Sequence, residues 1–135
     1  MDIRFEFAAG PRILRAVFEG RLDDASLRHA YRELKRYVRA TDPAVGIWDL
    51  SGVTEFEVTS DTVRDLGRSQ PAFAPVSAPR FIVASSDLAY GSARMFQSIG
   101  DESRPHLHVV RSVEDVYARL KIAPPKYEPV APPTD

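Results

Sequence analysis

The feature that most constrains this fold is a helix pattern that lies between two strand patterns. Four apolar residues share one face of the predicted helix, at spacings of three and four: Leu27, Tyr31, Leu34 and Val38. The two aspartates at 23–24 suit the positive start of its dipole, and the Asp-Pro pair at 42–43 ends it. Strand patterns over residues 14–18 and 45–50 flank this helix, so the segment predicts a right-handed βαβ unit.

The remaining patterns extend this alternation of strands and helices. A strand pattern over residues 3–7 and a turn signal at Gly10 predict an antiparallel hairpin with the second strand, which Gly20 ends. The later segments are a loop over 51–59, helices over about 60–69, over 88–99 and from Ser112, and strands over 81–84 and 106–110. The order β-β-α-β-α-β-α-β-α predicts a single α/β domain whose sheet is mostly parallel, with an antiparallel edge hairpin.

Chain length and proline placement predict one domain followed by a tail. The 135 residues suit one domain of ordinary size, which we place at residues 1–122. Five of the 11 prolines fall in residues 123–135, where missing N–H groups and a fixed φ disfavour helix and central strand. This predicts an extended, Pro-rich tail that Tyr127 and Val130 dock. The exposed hairpin edge and this tail are both compatible with a homodimer, and nothing in the sequence selects one.

Composition excludes several classes of function. The 18 Lys and Arg residues nearly balance the 19 Asp and Glu residues, which argues against a nucleic-acid partner. Because the chain has no cysteine, disulfides, thiol catalysis and cysteine-ligated metals are excluded. His106 and His108 alternate on one strand without a third ligand at a suitable spacing, so we expect no metal or other cofactor. The sequence shows no signal peptide and no membrane span, which predicts a cytoplasmic protein.

Two groups of residues are candidate ligand or partner surfaces. Asp49 lies at the carboxyl end of a central strand, where ligands bind in open α/β sheets; the alternative is that it caps the following turn. Ser85, Ser86, Tyr90 and Arg94 surround a helix start, whose free N–H groups can receive an anion. The alternative there is a helix capped by Ser86 or Asp87, with Tyr90 packed and Arg94 paired with an acidic side chain. No constellation supports catalysis, so we do not expect an enzyme.

Three motifs, in this order, resemble the STAS domain family, the fold of bacterial anti-sigma-factor antagonists, and its SpoIIAA-like branch. Residues 18–23 (Phe-Glu-Gly-Arg-Leu-Asp) are similar to the G-x-L-D sequence before the first helix, and residues 48–54 (Trp-Asp-Leu-Ser-Gly-Val-Thr) to the D-L-S-x-V strand and loop. Residues 90–96 (Tyr-Gly-Ser-Ala-Arg-Met-Phe) are similar to the G-x-x-R-M-F segment of that branch, which adds Met95 and Phe96 to the candidate surface. The resemblance covers residues 3–122 and implies a STAS-like fold with a regulatory, non-enzymatic role.

The resemblance also implies a partner and a phosphorylation site. Members of the family bind a serine kinase that acts as an anti-sigma factor. Phosphorylation of a Ser or Thr in a D-S-[ST]-G sequence at the start of the second helix switches them off. The corresponding stretch here is residues 56–61, in which Thr59 is nearest the phosphorylated position and Ser60 is next, while Val58 and Asp61 depart from the motif. In the alternative interpretation, Thr59 or Ser60 is only the N-cap of that helix.

The superhelical topology implied by this family also resembles that of CRAL-TRIO lipid-binding domains. That likeness implies an alternative function, which is binding of a small apolar ligand or a lipid on the inner surface of the second and third helices. Phe73, Phe81, Met95 and Phe96 would line such a site. The other interpretation places all four side chains in an ordinary hydrophobic core.

Overall fold

The computed structural model describes residues 2–73 and 78–133, so the last two residues of the predicted tail lie outside it. Its strands and helices follow in chain order: β1 Asp2–Ala8, β2 Ile13–Asp23, α1 Asp24–Thr41, β3 Val45–Glu57, α2 Ser60–Arg68, β4 Arg80–Val83, α3 Asp87–Ile99, β5 Leu107–Val110, α4 Val113–Leu120 and β6 Glu128–Pro129. The predicted order of elements is confirmed, and the tail adds the short strand β6 to it.

The strands form one sheet in the order β5-β4-β3-β2-β1-β6. Strands β2 to β5 are parallel to one another, whereas β1 is antiparallel both to β2 and to β6. The predicted α/β domain with a mostly parallel sheet and an antiparallel hairpin is therefore confirmed. β6 pairs with Glu6 and Phe7 of β1, so the tail covers part of the edge that the hairpin would otherwise expose.

The helices cover the two faces of the sheet unequally and divide the core into two clusters. α1, α2 and α3 pack on one face, where the buried side chains include Phe18 and Leu50. α4 and the tail pack on the other face, where Ile47 and Val83 are buried with Tyr117. Because successive side chains of a strand point to opposite faces, β3 supplies Leu50 to the first cluster and Ile47 to the second.

The second and third strands are longer than the sequence predicts. Gly20 does not end β2: it adopts a φ of +86°, the parallel register shifts beside it, and the strand continues to Asp23. Residues 51–57, predicted as a loop, continue β3, and the part from residue 52 to residue 57 pairs with residues 19–23. This stretch has no partner in β4, so several of its side chains, including Glu55 and Glu57, are exposed. Exposed polar residues do not show the apolar alternation from which a strand is predicted. We call the paired residues 20–23 and 53–57 the two-strand ribbon.

Each helix begins at a side chain that accepts a hydrogen bond from the backbone N–H three residues later. The four N-caps are Asp23, Thr59, Ser86 and Ser112. An N-cap of this kind stabilises a helix by about 1 kcal/mol, because it satisfies a donor that the helix itself leaves free. At its far end α1 closes on Asp42, whose φ of 46° is left-handed, just before the proline that prevents continuation. The predicted starts and stops of the helices thus arise from local chemistry.

Candidate functional site

In the part of the chain that the structure describes, all four helix starts lie at the end of the sheet where the parallel strands finish. Asp23, the last residue of β2, is itself the N-cap of α1, and β3, β4 and β5 each end within three residues of the N-cap of the next helix. We call this end of the molecule the carboxyl edge. It gathers free backbone N–H groups and the positive ends of four helix dipoles, a combination that attracts anions and acidic side chains.

Thr59 and Ser60 are exposed on the carboxyl edge at the start of α2. The N–H and the hydroxyl of Thr59 donate to the Asp24 carboxylate over 2.7 and 2.9 Å, and its Oγ1 also accepts from the Thr62 N–H. The backbone hydrogen bond from Thr59, followed by that of its hydroxyl, holds the pKa of Asp24 below its ordinary value. Asp24 therefore joins the first turn of α1 to the first turn of α2.

Ion pairs within the chain engage several of the charged residues around this position. Arg28 of α1 contacts Asp65 of α2 over 2.9 Å, and its Nη2 also donates to the Thr62 hydroxyl over 3.1 Å. In the two-strand ribbon, Arg21 pairs with Glu57. The pair between Arg28 and Asp65 thus joins α1 to α2 within one molecule. These pairs are largely exposed, so each contributes little to stability.

A second group of predicted residues meets at the start of α3. Ser86 is the N-cap, Ser85 is exposed beside it, and the Arg94 guanidinium lies 3.5 Å from the Tyr90 hydroxyl. Arg111, which the sequence did not single out, lies over the Tyr90 ring with its Cζ 4.0 Å from the centroid. Its guanidinium also donates to the Asp87 carboxylate and the Ser85 carbonyl. The only sequence feature that could have indicated a role for Arg111 was its position directly after a predicted strand.

Asp49 does not join either group. Its side chain is 2% exposed and lies on the α4 face of the sheet, where Arg15 donates to it over 2.8 Å. Its other oxygen accepts hydrogen bonds from both the N–H and the hydroxyl of Ser51. This is the contact expected if Asp49 caps the residues that follow it, which was the alternative given in the sequence analysis. Burial alone would lower the pKa of Arg15, but the hydrogen bond and the charge of Asp49 outweigh burial and raise it.

An apolar cavity of about 130 Å³ lies between the sheet and helices α1 to α3. Trp48, Phe73 and Phe96 contribute aromatic rings to its wall, and Leu22 and Leu66 contribute aliphatic side chains. Of the residues that the CRAL-TRIO resemblance placed here, Phe73 and Phe96 line the cavity. Phe81 also borders the cavity but packs with the second core cluster, whereas Met95 is half-buried outside the lining. The cavity is thus the one predicted surface whose chemistry is almost wholly hydrophobic.

Two buried arginines border this cavity. Arg104, which is 4% exposed, donates to the Leu66, Gly67 and Ser69 carbonyls, which close the last turn of α2, and to the Tyr31 hydroxyl. Arg80, which is 7% exposed, begins β4, and its Cζ lies 5.7 Å from the Phe73 ring centroid. Burial, followed by the charge of Arg104, lowers the pKa of Arg80. Sequence reasoning missed both arginines because each lies beside a proline and resembles a surface residue.

The two histidines weighed as a metal site lie on or next to β5. Burial, followed by the charges of Arg119 and His106, lowers the pKa of His108, whose ring lies 5.4 Å from that of Phe81. Within residues 2–73 and 78–133, no three histidine or acidic side chains gather as metal ligands would. In the same residues, no helix has the length and apolar composition needed to cross a bilayer.

Comparison with known proteins identifies the fold but no sequence family. No family model and no curated protein sequence matches the chain. Among solved structures, the anti-sigma factor antagonist SpoIIAA in its unphosphorylated form aligns with a TM-score of 0.55 at 13% sequence identity. The alignment covers 89% of this chain and 98% of SpoIIAA. The resemblance noted in the sequence is therefore confirmed at the level of the fold: this chain has the STAS-like fold of SpoIIAA.

Proposed function

We propose that this chain is a non-enzymatic regulatory module that binds a protein partner through the carboxyl edge around Thr59 and Ser60. The observation that carries the proposal is the placement of two exposed hydroxyl side chains at the start of α2, in a fold shared with an anti-sigma factor antagonist. By analogy with that family, the partner is a serine kinase of the anti-sigma type. The exposed side chains of the two-strand ribbon, among them Glu55 and Glu57 next to Thr59, extend the surface available to it.

Phosphorylation on this surface would act through charge. A phosphate group adds up to about two negative charges and three strong acceptor oxygens. On Ser60 it would lie in the first turn of α2, where the helix dipole favours negative charge, so the helix itself would tolerate it. On Thr59 it would meet the Asp24 carboxylate and break the contact between α1 and α2. In both cases the surface offered to the partner changes from paired charges to a net negative patch.

The test is a comparison of immobilised wild-type protein with the Ser60→Asp and Thr59→Asp variants, exposed to a lysate of the source cells. Captured proteins are quantified by mass spectrometry. We expect at least one protein kinase to be retained by the wild type and to fall at least tenfold on both variants. A tenfold fall corresponds to about 1.4 kcal/mol, within the range of a like-charge contact at an interface.

The matched control is Ser98→Asp, which makes the same change on an exposed residue of α3, near the opposite end of that helix. This control should capture the partner as well as the wild type does. Equal capture by all four proteins would overturn the proposal for the Thr59–Ser60 surface. Circular dichroism of each variant shows whether a loss of capture reflects the surface or a loss of folding.

The cavity supports a second candidate function, which is binding of a small apolar ligand. A cavity of about 130 Å³ with an apolar wall resembles the engineered cavities of about 150 Å³ that stay dry and take up benzene. Hexan-1-ol is a neutral probe of suitable size. Saturable binding of hexan-1-ol in a calorimetric titration supports this function. If neither this alcohol nor a charged analogue binds, the function is contradicted.

A further inference from the structure

A row of basic side chains runs along the solvent side of α1. It follows the apolar stripe of the helix one residue later, with the same spacings of three and four residues. Its members, which we call the basic row, are Arg28, Arg32, Lys35 and Arg39. The last three are exposed. Because each residue of a helix adds 1.5 Å, the row is about 17 Å long and presents cations over about three turns.

The first member of the basic row already has a partner, and the others do not. Arg28 contacts Asp65 over 2.9 Å, which turns this side of α1 towards α2. Arg68 is exposed in the last turn of α2, and because it follows Asp65 by three residues it lies on the same side of that helix. Among residues 2–73 and 78–133, no acidic side chain pairs with Arg68 or with the last three members of the row. Four cations without an acidic partner thus lie where α1 and α2 meet.

A groove of about 480 Å³ lies beside the second half of the basic row, between α1 and the residues that follow α2. Lys35 and Arg39 line it, and Asp42, which also lines it, pairs with Arg12. The apolar part of the lining consists of Val38, Pro71 and Ala72. The groove therefore combines cations with an apolar surface, a pattern that complements a segment with both acidic and apolar side chains.

We propose that the basic row and this groove bind an acidic segment of a partner protein. Carboxylates of the segment pair with the cations of the row and with Arg68, and an apolar side chain lies in the groove. This surface is separate from the one proposed around Thr59 and Ser60. Lys35 lies about 17 Å along α1 from Asp24, the residue that contacts Thr59, so the two surfaces can be tested independently.

The chemistry of this surface favours an acidic protein segment over other anionic macromolecules. The apolar stripe of α1 packs in the core, so a bilayer would meet mainly charged side chains there. Single-stranded nucleic acids bind where aromatic rings offer a stacking surface, whereas Tyr31, the ring beneath Lys35, is only 8% exposed. The formal net charge of −1 also opposes the approach of a long polyanion, but a short acidic segment meets only the local cations.

The experiment measures the binding of fluorescein-labelled probes to the full chain by fluorescence anisotropy. The main probe is a peptide that repeats Glu-Glu-Leu-Ala four times, and its neutral counterpart has Gln in place of every Glu. We expect the acidic peptide to bind at least tenfold more tightly than the neutral one. Its affinity should fall as NaCl rises from about 50 to about 300 mM, because salt screens exposed charges. Equal affinities for the two peptides, or no binding of the acidic one, would overturn the proposal.

Three further measurements test the other occupants. A labelled oligonucleotide of 16 thymidines represents nucleic acid, and phosphatidylcholine vesicles with about 30% phosphatidylserine represent an anionic membrane. Both should bind more weakly than the acidic peptide, and tighter binding of either would overturn the assignment to a protein segment. Analytical ultracentrifugation tests a second copy of this chain. Self-association that is lost when Lys35 and Arg39 are replaced would likewise overturn the assignment.

The double variant Lys35→Gln with Arg39→Gln tests the two cations of the groove. Both positions are exposed and glutamine favours helix about as well as lysine and arginine do, so the variant should fold. It should bind the acidic peptide at least fivefold more weakly than the wild type does. The matched control is Arg119→Gln with Lys126→Gln, which removes the same charges from exposed positions on α4 and in the tail and should leave the affinity unchanged. Equal affinities of the two double variants would overturn the assignment of the site to this groove.

Discussion

At the scale of single residues, the side chains that cap helices were predictable and the buried cations were not. Ser112 and the pair Ser86 and Asp87 precede apolar helical patterns, and the chemistry of an N-cap is local. Sequence alone therefore placed the cap at Ser112 and narrowed the other cap to Ser86 or Asp87, of which the structure has Ser86. Arg80 and Arg104 depend on carbonyls and rings that are distant in the chain. An arginine beside a proline is typical of a surface loop. Only the folded structure shows that Arg104 reaches the end of α2, 37 residues earlier.

The substitution Arg104→Met measures that long-range contact. It removes donors from the carbonyls of Leu66, Gly67 and Ser69, and from the Tyr31 hydroxyl. We expect the free energy of unfolding to fall by about 2–3 kcal/mol, because buried acceptors lose their partners. Urea denaturation measures the change. Arg119→Met, an exposed change on α4, should shift stability by less than about 0.5 kcal/mol. A loss below about 1 kcal/mol for Arg104→Met would contradict the assigned role.

At the scale of elements, the second half of β3 and the end of β2, which pair with each other, were the hardest to predict. The apolar run at the start of β3 revealed its first half, but residues 51–57 have few apolar side chains. Backbone pairing with residues 20–23 holds them extended, and backbone pairing leaves little trace in a sequence. The helices were easier to predict, because amphipathic spacing and caps are both visible in the residues themselves.

The joined starts of α1 and α2 predict how stability depends on pH. Hydrogen bonds to backbone N–H groups lower the pKa values of Asp23 and Asp24 in the folded state. Their stabilising contribution is therefore fully present above about pH 4, and it is lost as the pH falls through the lower, folded-state pKa values. Asp24→Asn should reduce the slope of stability against pH between pH 4 and pH 2.5, as urea denaturation at several pH values measures. An unchanged slope would exclude Asp24 as a contributor.

At the scale of the whole molecule, the tail contacts the sheet at several points, although we placed it outside the domain. β6 pairs with β1, the Val130 N–H donates to the Phe5 carbonyl over 2.9 Å, and the Tyr127 and Tyr117 hydroxyls lie 2.6 Å apart. Burial, followed by that hydrogen bond, raises the pKa of Tyr127. The Pro-rich composition predicted an extended tail, but composition alone cannot show which edge an extended segment joins.

Truncation after Ile122 tests whether residues 1–122 form an independent domain. We expect the shortened chain to fold but to lose about 3 kcal/mol of stability, because two half-buried apolar side chains and several hydrogen bonds are removed. Thermal and urea unfolding measure the loss. Lys126→Ala, an exposed change within the tail, serves as the control and should be neutral. Undiminished stability of the shortened chain would show that the tail is dispensable for the fold.

The nine residues of α2 connect two of the proposed sites. The helix begins at Thr59, on the surface proposed for the partner, and ends at the carbonyls that Arg104 holds beside the cavity. At 1.5 Å per residue it spans about 13 Å, short enough to move as one rigid rod. Thermodynamic reciprocity then sets a quantitative condition: the factor by which an apolar ligand in the cavity changes the affinity for the partner must equal the factor by which the partner changes the affinity for that ligand.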